Sequence, residues 1–191
     1  MKRLLILLTA LSLTLGLCAC GSAADVLDVT STAEVILEDA SVPPSFVIYD
    51  VDDSSQIAMT LDAVYTEWYY NEDGETVSIE SGNTSASGDA DEAILYASYA
   101  SLLTLTMNYD TEIYYTVDTG ATPDRMVQTS WKSEYIGDES ADAMEVYTML
   151  ENFDSLPLKT DRVYQITVIW SEENYESRGY YGTLTYMFMT Q

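Results

Sequence analysis

The chain has 191 residues, 47% of them apolar and 20% charged, a length and balance that suit one ordinary globular domain. Its 7 Lys and Arg against 32 Asp and Glu give a net charge of −25, so a phosphate backbone would be repelled and nucleic-acid partners are excluded. It has no histidine, and its two cysteines, Cys18 and Cys20, lie within the first twenty residues. Ser-His-Asp and Cys-His nucleophiles, His- or Cys-ligated zinc and haem therefore have no residues to build on.

The chain opens with Met1-Lys2-Arg3 and an almost wholly apolar run from Leu4 to Leu17, the charged and greasy regions of an export signal. A helix of that length rises about 21 Å, short of the roughly 30 Å hydrocarbon core, so the run predicts a leader and not a membrane span. Leu17-Cys18-Ala19-Cys20-Gly21-Ser22 resembles a bacterial lipobox. The resemblance implies cleavage after Ala19, a diacylglycerol thioether on Cys20, and a protein lipid-anchored on the extracytoplasmic face of the cell membrane. Residues 1–19 are then the signal peptide, and no thiol pair remains for a disulfide. Residues 20–42 read as the lipidated cysteine and a flexible acidic tether. About 22 such residues span on the order of 26 Å. A competing reading makes Val35-Ile36-Leu37 a first edge strand.

Pro43-Pro44 marks the entrance to the domain proper, residues 43–191, because each proline fixes φ and biases its predecessor toward extended backbone. Ser45 to Asp50 predicts a short strand. Ala63 to Tyr70 alternates Val64, Thr66, Trp68 and Tyr70 with Ala63, Tyr65, Glu67 and Tyr69. Asn71-Glu72-Asp73-Gly74 predicts a turn, Val77 to Glu80 the return strand, and Ser81 to Glu92 a long polar loop. Leu102 to Tyr109 places Leu103, Leu105, Met107 and Tyr109 on one face, and Glu112 to Asp118 follows with Ile113, Tyr115 and Val117. The stretch 108–111 predicts a hairpin turn between them.

Met126 to Lys132 alternates Val127, Thr129 and Trp131, whereas Met144 to Leu150 is ambiguous by propensity. The clearest pattern is Arg162 to Trp170, with Tyr164, Ile166, Val168 and Trp170 inward and Gln165 and Thr167 outward. Its partner is Gly182 to Met189, carrying Leu184, Tyr186 and Phe188. Seven to nine short strands with frequent turns predict an all-β, antiparallel, immunoglobulin-like sandwich. Trp68, Trp131 and Trp170 run in phase with apolar neighbours and belong in its core.

Several landmarks carry a wider likeness: Pro43-Pro44, Tyr65-Thr66-Glu67-Trp68, Pro123-Asp124 leading to Trp131, the run Tyr164 to Trp170, and Tyr181 to Phe188. On these the chain resembles a group of small surface lipoproteins and lipoprotein-like ectodomains of gut Gram-positive bacteria. The resemblance implies a β-sandwich held outside the membrane, with no assigned reaction and no catalytic residues.

Candidate sites are accordingly few. A hard cation wants clustered oxygens, and Asp50, Asp52 and Asp53 supply three carboxylates within four residues. They complete no EF-hand, since the twelfth position from Asp50 is Leu61, so no cofactor is expected beyond a weakly held Ca²⁺. Tyr65, Tyr69, Tyr175, Tyr180 and Tyr181 fall off the inward register or in loops and are candidates for a ligand-stacking surface. The expected role is a non-enzymatic interaction or sensor module at the cell envelope, with an unidentified protein or envelope ligand as partner. The alternative is capture of glycans or divalent cations through aromatics and acidic loops.

Overall fold

The computed structural model describes residues 34–82, 102–108, 111–136, 138 and 141–191. The leader, Cys20, the first part of the tether, most of the polar loop after Ser81 and residues 109 and 110 lie outside that set. Glu34–Gln191 forms one compact unit.

Two sheets pack face to face, as the alternating strands predict. The smaller has the order β2-β1-β6-β9, built from β1 (Phe46–Tyr49), β2 (Ile57–Leu61), β6 (Ile113–Asp118) and β9 (Ser155–Leu158). The larger runs β4-β3-β11-β10-β7-β8, from β3 (Tyr65–Glu72), β4 (Glu75–Gly82), β7 (Arg125–Lys132), β8 (Glu145–Met149), β10 (Arg162–Trp170) and β11 (Tyr180–Thr190). A two-residue β5 (Thr104–Leu105) joins the end of β11 in parallel. The eleven described strands exceed the expected seven to nine because the chain also uses the short, unanticipated β2 and β9. Pro157 sits in β9, an edge strand where its missing N–H costs no ladder bond.

The period-two pattern fills the space between the sheets. Phe46 and Ile48, Tyr115 and Val117, and Tyr164, Ile166, Val168 and Trp170 all turn inward and are buried. Trp68 meets Trp170 edge-on at 5.3 Å between centroids and stacks on Tyr180 at 5.1 Å, while Phe46 packs on Tyr186 and Tyr164 on Phe188. Each such large side chain contributes about 1.5–3 kcal/mol by leaving water. Hydrogen bonds tie core side chains to backbone, among them Trp68 Nε1 donating to Ala40 O at 2.8 Å and Tyr186 Oη to Pro44 O at 2.6 Å.

The structure corrects or refines several sequence expectations. Leu102 to Tyr109 and Glu112 to Asp118 form no hairpin: β5 pairs with β11, whereas β6 crosses to the smaller sheet between β1 and β9. Leu105 and Met107 are buried as expected, but Leu103 is 53% exposed. Trp131 is buried on the opposite side of the larger sheet from Trp68 and Trp170. It packs there with Val163 and Met187, and Tyr135, Ala141 and Ala143 from the connection after β7 fold over them. Gln165 and Thr167 do point away from the sandwich interior, yet both are buried, because the outer face is covered at that level. Finally, the tether ends earlier than Pro43. Val35 exchanges bonds with Thr122, Ala40 accepts from Trp68, and Leu37 and Ala40 pack on the core, so residues 34–42 belong to the compact unit without forming an edge strand.

Candidate functional site

Alternation along β3 sends Thr66 and Trp68 to the core and leaves Tyr65, Glu67 and Tyr69 on the outer face. The neighbouring strands complete a grid. Tyr69 stands opposite Tyr181 of β11 and Ser78 of β4, Glu67 opposite Thr183 and Glu80, and Tyr65 opposite Thr185 and Gly82. The β3–β4 register is set by a two-residue turn in which Asp73 and Gly74 both take positive φ, 53° and 90°. That turn has the twist antiparallel strands require, and glycine meets it without strain.

Tyr69 and Tyr181 stack with centroids 4.6 Å apart and planes 9° from parallel, and Tyr175 meets Tyr181 edge-on at 5.3 Å. The Tyr175 and Thr76 hydroxyls lie 2.8 Å apart, closing one end of the patch onto β4. Tyr175 begins a short helix, Tyr175–Arg178, whose position is fixed from below. Asp124 accepts from Ser171 N at 2.6 Å, Asn174 Nδ2 at 2.8 Å, and Arg178 Nη1 and Nη2 at 2.6 and 3.1 Å. Arg178 Nε also pairs with Glu34.

Glu67 is the electrostatic centre of the face. Tyr65 Oη donates to one of its carboxylate oxygens at 2.9 Å and Tyr69 Oη to the other at 3.2 Å. Partial burial, then the bond to Glu67, pushes the Tyr65 phenol up to about 12, and the same causes raise Tyr69. Tyr181 is raised by burial and then by Glu172. All three therefore stay protonated donors at neutral pH. Glu80 faces Glu67 directly across the strands, and among the described residues no Lys or Arg pairs with either.

Four of the five candidate tyrosines thus come together on one face. Tyr180 does not: it is fully buried on the core side against Trp68, and its hydroxyl accepts from Leu37 N at 3.4 Å. Its even number puts it in phase with Leu184, Tyr186 and Phe188, a sign of inward orientation that its position beside a loop obscured. Glu67 and Glu80 escaped the sequence reading, although counting outward from the Asp73-Gly74 turn pairs them.

Asp50, Asp52 and Asp53 form no shared cage. Asp50 Oδ1 accepts from the backbone N–H groups of Asp52 and Asp53, at 2.8 and 3.1 Å. Asp53 accepts from Ser55 N, Ser55 Oγ and Gln56 Nε2, and those bonds, Ser55 first, hold its carboxyl below the usual range. Asp50 and Asp52 line an open cleft of about 320 Å³ with Thr104, Asn108 and Tyr115. Among the described residues no three Asp, Glu, His or Cys converge as a cation's ligands would. Nor, among them, is any helix long and apolar enough to cross a membrane. Comparison with known proteins finds no family model, no curated protein and no solved structure that matches the chain.

Proposed function

We propose that the chain is a lipid-anchored, extracytoplasmic, non-enzymatic interaction module of the bacterial cell envelope, and that it meets its partner with the tyrosine-rich outer face of β3, β4 and β11. The anchoring half of the proposal is supported by the leader and by Leu17-Cys18-Ala19-Cys20-Gly21, and by the likeness to small surface lipoproteins. The binding half is carried by one observation: Tyr65 and Tyr69 both bond the Glu67 carboxylate on a sheet face, and Tyr181 and Tyr175 extend the aromatic patch from Tyr69. Aromatic residues with one apolar and one polar end are what binding surfaces use.

The order of neighbouring strands supports an immunoglobulin-like reading of the sandwich. β1, β6 and β9 follow one another as strands A, B and E do, and β11, β10, β7 and β8 as G, F, C and C′. Tyr164, near the start of β10, accepts from Lys159 N at 2.7 Å, the kind of upstream backbone bond a tyrosine corner makes. On this reading the β3–β4 hairpin is an addition to the free edge of strand G, and the tyrosine face is built on it.

The test is a thermal melt of the full chain against basic peptides, cell-wall oligosaccharides and calcium. A ligand present at about 100 times its Kd and bound only by the folded state adds roughly 2.7 kcal/mol. For a domain of this length that is a rise of about 5–11 °C. A response that disappears in Tyr69→Ala supports the reading, and a flat panel overturns it. Intact-mass measurement of the membrane-extracted protein tests the anchor, since the first nineteen residues still attached would refute it.

A further inference from the structure

We propose that the outer face of β3, β4 and β11 captures the guanidinium group of an arginine-bearing segment of a protein partner, held between the Glu67 and Glu80 carboxylates and the Tyr69–Tyr181 pair. This rests on the interaction-module reading and gives it a chemistry.

The argument starts from the two carboxylates. Glu67 and Glu80 are cross-strand neighbours, and like charges placed directly opposite destabilise a sheet. The chain leaves that repulsion without a compensating Lys or Arg among the described residues, although Lys159 and Arg178 are each given two carboxylates elsewhere. A cation lying between Glu67 and Glu80 converts the repulsion into two attractions. Each Glu67 oxygen already accepts one tyrosine hydroxyl, which fixes the carboxylate in place and leaves each oxygen a second lone pair for an incoming N–H. A planar fork of donors fits such a carboxylate two bonds at a time.

The aromatic side of the site selects in the same direction. Tyr69 and Tyr181 present π systems within one strand spacing of Glu67, and guanidinium is the cation that stacks on tyrosine. A sugar needs donors as well as acceptors, and here the Tyr65 and Tyr69 hydroxyl protons are already directed at Glu67. An anion meets two uncompensated carboxylates. The net charge of −25 steers basic partners toward the molecule and raises their rate of encounter.

The experiment measures binding of a fluorescein-labelled hexa-arginine peptide to the full chain by anisotropy, in about 150 mM salt where long-range attraction is screened. Two variants remove the same charge: Glu67→Gln/Glu80→Gln at the face, and Glu151→Gln/Asp154→Asn in the exposed connection from β8 to β9. The first should weaken binding by about tenfold or more and the second by less than about twofold. Tyr181→Leu, which keeps an apolar side chain but removes the ring, should also weaken it several-fold. Glu67→Gln/Glu80→Gln relieves a repulsion but gives up an acceptor of a tyrosine hydroxyl, so its melt is recorded alongside to show that it stays folded, and Glu80→Gln alone, on the edge strand and without such a bond to lose, should give an intermediate loss of binding.

Equal losses from the two double variants would reduce the effect to overall charge and overturn the site. No binding of hexa-arginine by the unaltered chain would also overturn it. If the chain instead binds a cell-wall oligosaccharide and loses it in Tyr181→Leu, the interaction-module reading stands and the guanidinium inference falls. If it binds neither, both fall.

Discussion

Replacing Asp124 with alanine removes the acceptor around which the connection from β10 to β11 is organised. Four donor groups converge on its two oxygens: Ser171 N, Asn174 Nδ2 and both terminal nitrogens of Arg178, at 2.6–3.1 Å. The Arg178 side chain is 6% exposed, so without Asp124 it stays desolvated with Glu34 as its remaining partner, and Glu34 is itself 49% exposed. Stripping one member from a buried pair costs about 3–5 kcal/mol. Asp124 is a quarter exposed and Glu34 remains, so the expectation falls to about 2–3 kcal/mol. For a domain of this length, that is a drop in Tm of about 5–10 °C. The assay is thermal unfolding followed by circular dichroism for Asp124→Ala, Arg178→Met and the double variant. In the double variant no charge is left stranded, so it should be more stable than the sum of the single effects predicts by about 1–3 kcal/mol. Strict additivity, or a shift below about 2 °C in Asp124→Ala, would refute the reasoning that Arg178 depends on this acceptor.

Three further expectations come from the same packing. A Cβ on Gly182 would lie 2.2 Å from Glu67 O and 2.9 Å from the Cα of Trp68, both backbone atoms that cannot swing aside. Gly182→Ala should therefore cost at least about 1–3 kcal/mol in a urea melt and separate β11 from β3, and an unchanged midpoint would contradict that contact. Tyr186→Phe leaves Pro44 O without the donor 2.6 Å away, a loss of about 1–3 kcal/mol in the same melt. At high pH the phenols of Tyr65 and Tyr164, both pushed up to about 12 chiefly by burial, hold their protons after the tyrosines of the unfolded chain, which titrate near about 10, have begun to lose theirs, so rising pH draws the chain toward the unfolded state. Their contribution to stability is complete below pH about 10 and disappears as pH rises through about 12. Tyrosinate absorbance should therefore lag behind that of the urea-unfolded chain, and urea midpoints should fall between pH about 10 and 12. Coincident titration curves would contradict it.

Strand faces were legible in the sequence wherever one side is buried and the other wet. β6 is the cleanest case, with Tyr115 and Val117 buried and Tyr114, Thr116 and Asp118 exposed. The inward set of β10 was legible for the same reason, and the β3–β4 hairpin because Asp73-Gly74 names its own turn type. What alternation cannot encode is which strand lies alongside. β5 and β6 read as a hairpin because they are close in sequence, whereas β5 pairs with residues some 85 positions later, at Met189 and Thr190. Trp131 illustrates a second limit. The middle of the larger sheet is buried on both faces, so burial of an aromatic there does not reveal its side. The tyrosine site was half legible: odd numbering put Tyr65, Tyr69 and Tyr181 off the core, but the stacking of Tyr181 on Tyr69 needed the β3–β11 register.

Residues 34–42 also bear on how the molecule carries load. If the chain is tethered by its N-terminus, any drag on a captured partner is transmitted through Glu34 and the residues behind it. That strap is fastened at separate points: Glu34 to Arg178, Val35 to Thr122, and Ala40 to the indole of Trp68. Arg178 closes the helix that carries Tyr175, and Trp68 lies in the strand between Glu67 and Tyr69. If that face also holds a partner as proposed, pulling on the leash would tug on the very elements that form the grip, and the strength of the grip and the tension on the tether would be mechanically joined.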